Sequence, residues 1–208
     1  MKKHILLFGF LLFSTLSYSQ VSYGLKFGLN YNRNAQLKNK SNEIPLIYQE
    51  RFGYEIGFFL SLKLSNKISI KSGLSLSEKG MYLGNAPLYK NKNLHLTYGI
   101  LPLLFVYDIS KNFKIQTGFE FGYLFSSKIF FRSGFLDDDF FDNNIDLGLN
   151  LGIRYALLKK ARIGLNFSYS LIPIYKNWTG HFPDGSKDYF KVKSLNRTLG
   201  LVFNYIIK

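Results

Sequence analysis

Val21-Ser-Tyr-Gly-Leu-Lys-Phe-Gly-Leu-Asn-Tyr31 carries a large apolar side chain at every odd position and Ser, Gly, Lys or Asn at every even one. Alternation with a period of two is the mark of a β-strand with one apolar and one polar face. The same pattern recurs over 54–64 and 68–76, joined by a short turn at Ser65-Asn66 that reads as a hairpin. It returns over 94–106, 113–125, 145–155, 163–171 and 195–207. Eight antiparallel strands are therefore predicted. The segments between them, residues 32–52, 65–66, 80–93, 108–112, 127–144, 156–161 and 172–194, alternate long and short. Transmembrane barrels have this asymmetry, with strands of about 9 to 11 residues, short periplasmic turns and longer extracellular loops. The expected fold class is all-β, an eight-stranded antiparallel up-and-down transmembrane β-barrel with both termini on the periplasmic side.

A secreted lipocalin is also an eight-stranded up-and-down barrel, but its apolar face points inward. The apolar parity of this chain holds too many large side chains for an interior only just wide enough to be filled. Glycine gives the same answer. Gly24, Gly28, Gly53, Gly57, Gly73, Gly99, Gly118, Gly122, Gly148, Gly152, Gly164 and Gly200 are read on the polar parity, so every strand glycine is expected to face a crowded lumen. Tyr23, Tyr31, Tyr54, Tyr155, Tyr169 and Tyr205 lie on the apolar parity near strand ends, where amphipathic rings form interfacial girdles.

Composition agrees with this class. The chain has 208 residues, is 47% hydrophobic and 18% aromatic, and has no Cys. Zero cysteine excludes disulfides, thiolate metal sites, a thiol nucleophile and a lipid-modified N-terminal Cys. Lys2 and Lys3, the apolar run from Ile5 to Phe13, and the small residues around Ser17-Tyr18-Ser19 read as a secretory signal peptide over residues 1–19, leaving a barrel domain over 20–208. Loss of Lys2 and Lys3 would lower the formal charge from +14 to +12. Such a basic chain raises the question of nucleic acid. Export argues against it, and the anionic partners expected instead are phosphates at an outer-membrane lipid or lipopolysaccharide surface.

Several stretches, Gly73-Leu-Ser-Leu-Ser-Glu-Lys-Gly80, Leu101-Pro-Leu-Leu-Phe-Val-Tyr107, Gly118-Phe-Glu-Phe-Gly-Tyr-Leu-Phe-Ser-Ser-Lys128 and Leu147-Gly-Leu-Asn-Leu-Gly-Ile-Arg-Tyr155, together resemble the PorT-like outer-membrane β-barrel family of Bacteroidetes. That resemblance implies an outer-membrane barrel that serves as an accessory to secretion, with an envelope or secretion protein as partner. That family often carries an acidic residue ahead of Ile-Pro in the fourth strand; this chain has Gly99, and Leu101 stands between Ile100 and Pro102. Thr198-Leu-Gly-Leu-Val-Phe-Asn-Tyr205 is similar to the β-signal read by the outer-membrane assembly machinery, which is implied as a partner in biogenesis.

The polar parity predicts a lumen network of Lys26, Glu55, Lys71, Glu120, Arg154 and Arg162, with Glu55 and Glu120 offsetting Lys26 and Lys71, because buried charges must be paired. His95 is read on the same parity. Ser77, His95 and Glu55 would then meet near the outer mouth as a Ser, His, acid set. That set is the basis of the alternative reading, an outer-membrane enzyme acting on lipid or peptide. The favoured reading is non-enzymatic, with no cofactor: the barrel anchors extracellular loops for partner or envelope-glycolipid binding. Tyr175, Trp178, His181, Phe182, Lys187 and Tyr189 of the last long loop mix aromatic with basic groups and are the candidate contacts. The histidines, His4, His95 and His181, have no metal-ligand spacing. The acidic stretch from Leu136 to Asp146 lacks the Gly and distal Glu of a calcium loop and is expected to be hydrated and exposed.

Overall fold

The computed structural model describes residues 21–38, 48–83, 92–131, 134–137, 143–174, 178–181, 187–190 and 192–208. The expected signal segment 1–19 lies outside them, as do Tyr175 and Phe182. Eight long strands form the wall: β1 (Val21–Lys38), β2 (Arg51–Lys63), β3 (Ile68–Leu83), β4 (Lys92–Asp108), β5 (Phe113–Phe131), β6 (Ile145–Ala156), β7 (Ala161–Ser170) and β8 (Val192–Ile206). Each pairs antiparallel with its neighbour in sequence, and β1 pairs with β8, so the barrel is closed and has no free edge.

The register fixes the tilt. From Val21, successive cross-strand partners are Leu62, Ile70, Phe105, Thr117, Leu151, Phe167 and Leu199, whose partner on β1 is Tyr31, ten residues beyond the start. At ~3.4 Å per residue and ~4.8 Å between strands, that stagger over eight strands tilts each by about 40°. The wall is uneven in height: β5 has 19 residues and β1 has 18, while β7 has 10.

Three short turns close one end. Leu64 N–H donates to the Ile68 carbonyl, Ile109 N–H to that of Phe113 and Leu157 N–H to that of Ala161, and the hydroxyls of Ser65 and Ser110 accept from Ile68 N–H and Phe113 N–H. The start of β1 and the C-terminal residues lie at this same end, where Tyr23 N–H donates to the Lys208 carbonyl at 2.9 Å. In outer-membrane barrels the short-turn end faces the periplasm. Short strands decorate the other end: Tyr48–Gln49 pairs with β3, Gly134–Asp137 pairs with β5, and Trp178–His181 pairs with Lys187–Phe190 as a separate hairpin.

The outer surface is apolar. Leu29, Ile56, Phe58, Leu76, Phe105, Phe121, Leu151 and Leu201 are among its exposed side chains. Tyr23, Tyr107, Tyr155 and Tyr205 band the short-turn end, and Tyr31, Tyr54 and Tyr123 band the other. Arg197 stands over the ring of Tyr169 at 5.0 Å.

β4 corrects the parity reading. Its sequence is apolar on both faces, so a period of two alone does not choose between them. Leu101, Leu103, Phe105 and Tyr107 point outward, and Leu94, Leu96, Tyr98 and Ile100 are buried in the lumen. Gly99 therefore faces outward, contrary to the expectation for all strand glycines; a Cβ there would lie 2.4 Å from Cε2 of Phe125, whose ring is 65% exposed. The β4–β5 register shifts between Thr97 and Tyr98, which pair with Ser126 and Leu124, and Phe125 is the extra residue of this bulge. An aromatic ring lying across a glycine covers backbone that would otherwise be bare.

Candidate functional site

The lumen is filled in layers. Near the outer mouth, Met81, Leu94, Leu96, Tyr98, Ile100, Leu124 and Ile174 form one buried apolar cluster. Ile174 arrives from the segment after β7, which turns in over the mouth: Ile174 N–H donates to the Ser194 carbonyl at 2.8 Å, and Asn143 Nδ2 donates to the Pro173 carbonyl at 2.9 Å. This apolar stopper is bordered by Asn34, whose Nδ2 donates to Ser194 Oγ at 3.2 Å and lies 3.5 Å from Met81 Sδ.

Beneath it lies an ionic layer centred on Lys79, which is 3% exposed. Its Nζ is 3.2 Å from Glu120 Oε1 and 3.3 Å from Asp146 Oδ2, and stands 5.2 Å over the Tyr98 ring. Neutral donors add two hydrogen bonds to each carboxylate: Asn150 Nδ2 and Ser168 Oγ on Glu120, Ser170 Oγ and Asn196 Nδ2 on Asp146. Two buried carboxylates held by one cation and four neutral donors make a rigid plug.

In the half nearest the short turns, Lys26 Nζ pairs with Glu55 Oε1 at 2.5 Å, and Ser75 Oγ donates to the same oxygen at 2.6 Å. Lys71 Nζ instead donates to Asn204 Oδ1 at 2.9 Å and stands 4.2 Å over the Phe59 ring. Arg154 Nη1 donates to the carbonyls of Ile153 and Leu165. Glu120 therefore balances Lys79, not Lys71 as the sequence suggested. Parity places Lys79 in the lumen but says nothing of which strand height meets which. Asp146 also departs from expectation: it is 4% exposed, lying at the start of β6 with its side chain inward, and is not part of a hydrated loop.

The Ser77, His95, Glu55 set does not assemble. Ser77 faces the lumen, where Asn30 Nδ2 donates to it at 3.0 Å. His95 lies between Leu94 and Leu96, both buried inside, so its ring is on the outer face. There its ring is tilted against that of Phe130, centroids 4.4 Å apart, and its Nδ1 is 2.7 Å from both Glu78 Oε1 and Arg51 Nη2. Glu78, flanked by lumen residues Ser77 and Lys79, also points outward and pairs with Arg51, which further donates to the Lys79 carbonyl at 3.1 Å. Nδ1 can donate to Glu78 or accept from Arg51, but not both. The outer end of the β3–β4 face thus carries a charged cluster where the apolar belt stops. Sequence parity could have found Glu78; Arg51 was legible only as a loop residue.

Of the loop contacts, Trp178 and His181 lie on one strand of the hairpin and Lys187 and Tyr189 on the other, with Thr179 opposite Tyr189 and His181 opposite Lys187. Among the described residues no group of three His, Asp or Glu could hold a metal ion.

Residues 14–176 match the family model described as outer membrane protein beta-barrel domain. Neisserial surface protein A has a similar solved structure, at 12% identity and a TM-score of 0.53 over 89% of this chain and 98% of that one. The attachment invasion locus protein Ail of Yersinia pestis aligns at 12% identity and a TM-score of 0.46 over 89% and 99%. Outer membrane protein AlkL aligns at 14% and 0.47 over 91% of each chain. The likeness to Neisserial surface protein A is one of fold. No curated protein sequence matches the chain. The closed eight-stranded wall, its apolar outer face and the family match together make this chain a member of the outer membrane β-barrel domain family.

Proposed function

We propose that this barrel is a non-enzymatic anchor that holds extracellular loops for recognition at the cell surface, with phosphorylated envelope glycolipid as the ligand class. One observation carries the reading: the strands far exceed what the membrane needs, while the lumen is stoppered. About 11 tilted residues cross a bilayer, whereas β5 has 19 and β4 has 17. The surplus in β5 lifts the wall by about 20 Å beyond the hydrocarbon. The protein therefore offers the outside a raised wall and loops, not a passage. The charged cluster of Arg51, Glu78 and His95 lies on the outward face of that wall, at the level where glycolipid phosphates would stand. Trp178, His181, Lys187 and Tyr189, with Tyr175 and Phe182, are the proposed loop contacts, and the signal peptide at 1–19 is the proposed route of export.

The test uses purified, refolded barrel and immobilised lipopolysaccharide, native or phosphatase-treated. Retention on the native form alone supports the reading. Equal retention on both forms, or none, overturns it. The PorT-like resemblance motivates a second arm: deletion of the gene should leave secreted proteins unchanged, and their accumulation in the periplasm would instead make this barrel a secretion accessory.

A further inference from the structure

The lumen holds more positive charge than it balances, and all of the excess sits at one end. Lys26, Lys71, Lys114, Arg154 and Arg162 line the half nearest the short turns. Glu55 is taken by Lys26 and Ser75, and both oxygens of Asp108 are 2.6 Å from Lys114 Nζ. Among the described residues no carboxylate forms a salt bridge with Lys71, Arg154 or Arg162. Like charges gathered in a low-dielectric interior are costly unless a counter-charge joins them.

Two donors show where it would lie. Arg154 is 4% exposed and Asn204 2%, yet Arg154 Nε and Asn204 Nδ2 have no hydrogen-bond partner. Asn204 must present Nδ2 inward, because its Oδ1 accepts from Lys71. The arginine lies across Gly164, where a Cβ would stand 2.7 Å from Arg154 Cδ. On β7 the next inward residue, Arg162, is the ladder partner of Asn204. Lys71 and Asn204 meet in this half of the lumen, which Arg154 also lines, so three strands supply N–H groups there while the Asn204 Oδ1 is taken by Lys71.

We propose that this end of the lumen is a binding site for inorganic phosphate, held by Arg154 Nε, Asn204 Nδ2 and Lys71 Nζ and reached from the short-turn end. The free edge of a guanidinium beside an ammonium is matched to an oxyanion. Free phosphate is favoured over a lipid headgroup because the site lies inside a closed wall that acyl chains cannot enter. Exposed Lys63, Lys67, Lys111, Lys159, Lys160 and Lys208 ring the approach and would raise the local anion concentration.

Refolded full-length barrel in phosphate-free detergent buffer, titrated calorimetrically with inorganic phosphate at constant ionic strength, should bind one equivalent saturably, and phosphate should raise its unfolding temperature. Lys71→Met should weaken binding at least tenfold yet fold normally by heat-modifiable gel mobility, since it removes an unbalanced charge. Asn204→Asp should also weaken binding, whereas Lys67→Gln should leave it within twofold. The proposal is overturned by absence of saturable binding, by equal binding to wild type and Lys71→Met, or by chloride protecting as well as phosphate at the same ionic strength.

Discussion

Lys79 is the residue on which the interior depends most. It lies between Glu120 and Asp146 in a layer shut off from water by the apolar cluster above. Lys79→Met would strand two buried carboxylates, and breaking a buried pair costs about 3 to 5 kcal/mol. The urea midpoint of the refolded barrel in vesicles should fall accordingly, and adding Glu120→Gln and Asp146→Asn to Lys79→Met should recover most of the loss. A drop unchanged by those two additions would mean that the ionic layer is not the cause. Gly80, next in the chain, is held by its backbone. Its φ is 130°, and a Cβ there would stand 2.0 Å from the Leu94 carbonyl oxygen. Gly80→Ala should cost about 1 to 3 kcal/mol in the same measurement, with the loss confined to the outer end of the β3–β4 pair by hydrogen exchange.

At the scale of the strand, the period of two makes adjacent residues see different solvents. Leu199 is 48% exposed on the outer face near the middle of β8, while Thr198 is buried and donates to Asn32 Oδ1 at 2.9 Å. Leu199→Arg, one strand from Tyr31 of the outer band, should cost about 1 to 2 kcal/mol, less than the about 2 to 4 kcal/mol of a charge at the bilayer midplane, and Thr198→Ser, which keeps the hydroxyl, less than about 1 kcal/mol. Both are read from urea titrations in vesicles. This alternation is why the fold could be read from sequence: β1 and β6 each have one polar and one apolar parity, and β2 and β8 break it in the lumen at Phe59 and Val202. β4 could not be read so, because Leu94, Leu96, Tyr98 and Ile100 fill the lumen while Leu101 and Leu103 face out. The bulge at Phe125 adds a register shift that no periodicity announces. The misplacement of His95, and with it the supposed Ser77 set, follows from that strand. Lumen pairing was legible only in part, since partners such as Lys79 and Asp146 are brought together by shear, which a single strand does not encode.

For the molecule as a whole, the apolar stopper around Ile174 and the ionic layer beneath it oppose ion flow. Purified barrel in a planar bilayer should show no discrete conductance steps, and reproducible single-channel openings would mean that the stopper moves aside. The face that meets lipid distinguishes this barrel from one turned inside out. The natural chain has no Cys, so single cysteines can be introduced one at a time along Ile145–Ala156 and spin-labelled in the refolded barrel. Oxygen accessibility in lipid vesicles should alternate with a period of two, high at 149, 151 and 153 and low at 148, 150 and 152. Alternation of the opposite phase, or none, would contradict a barrel with its apolar face in the membrane.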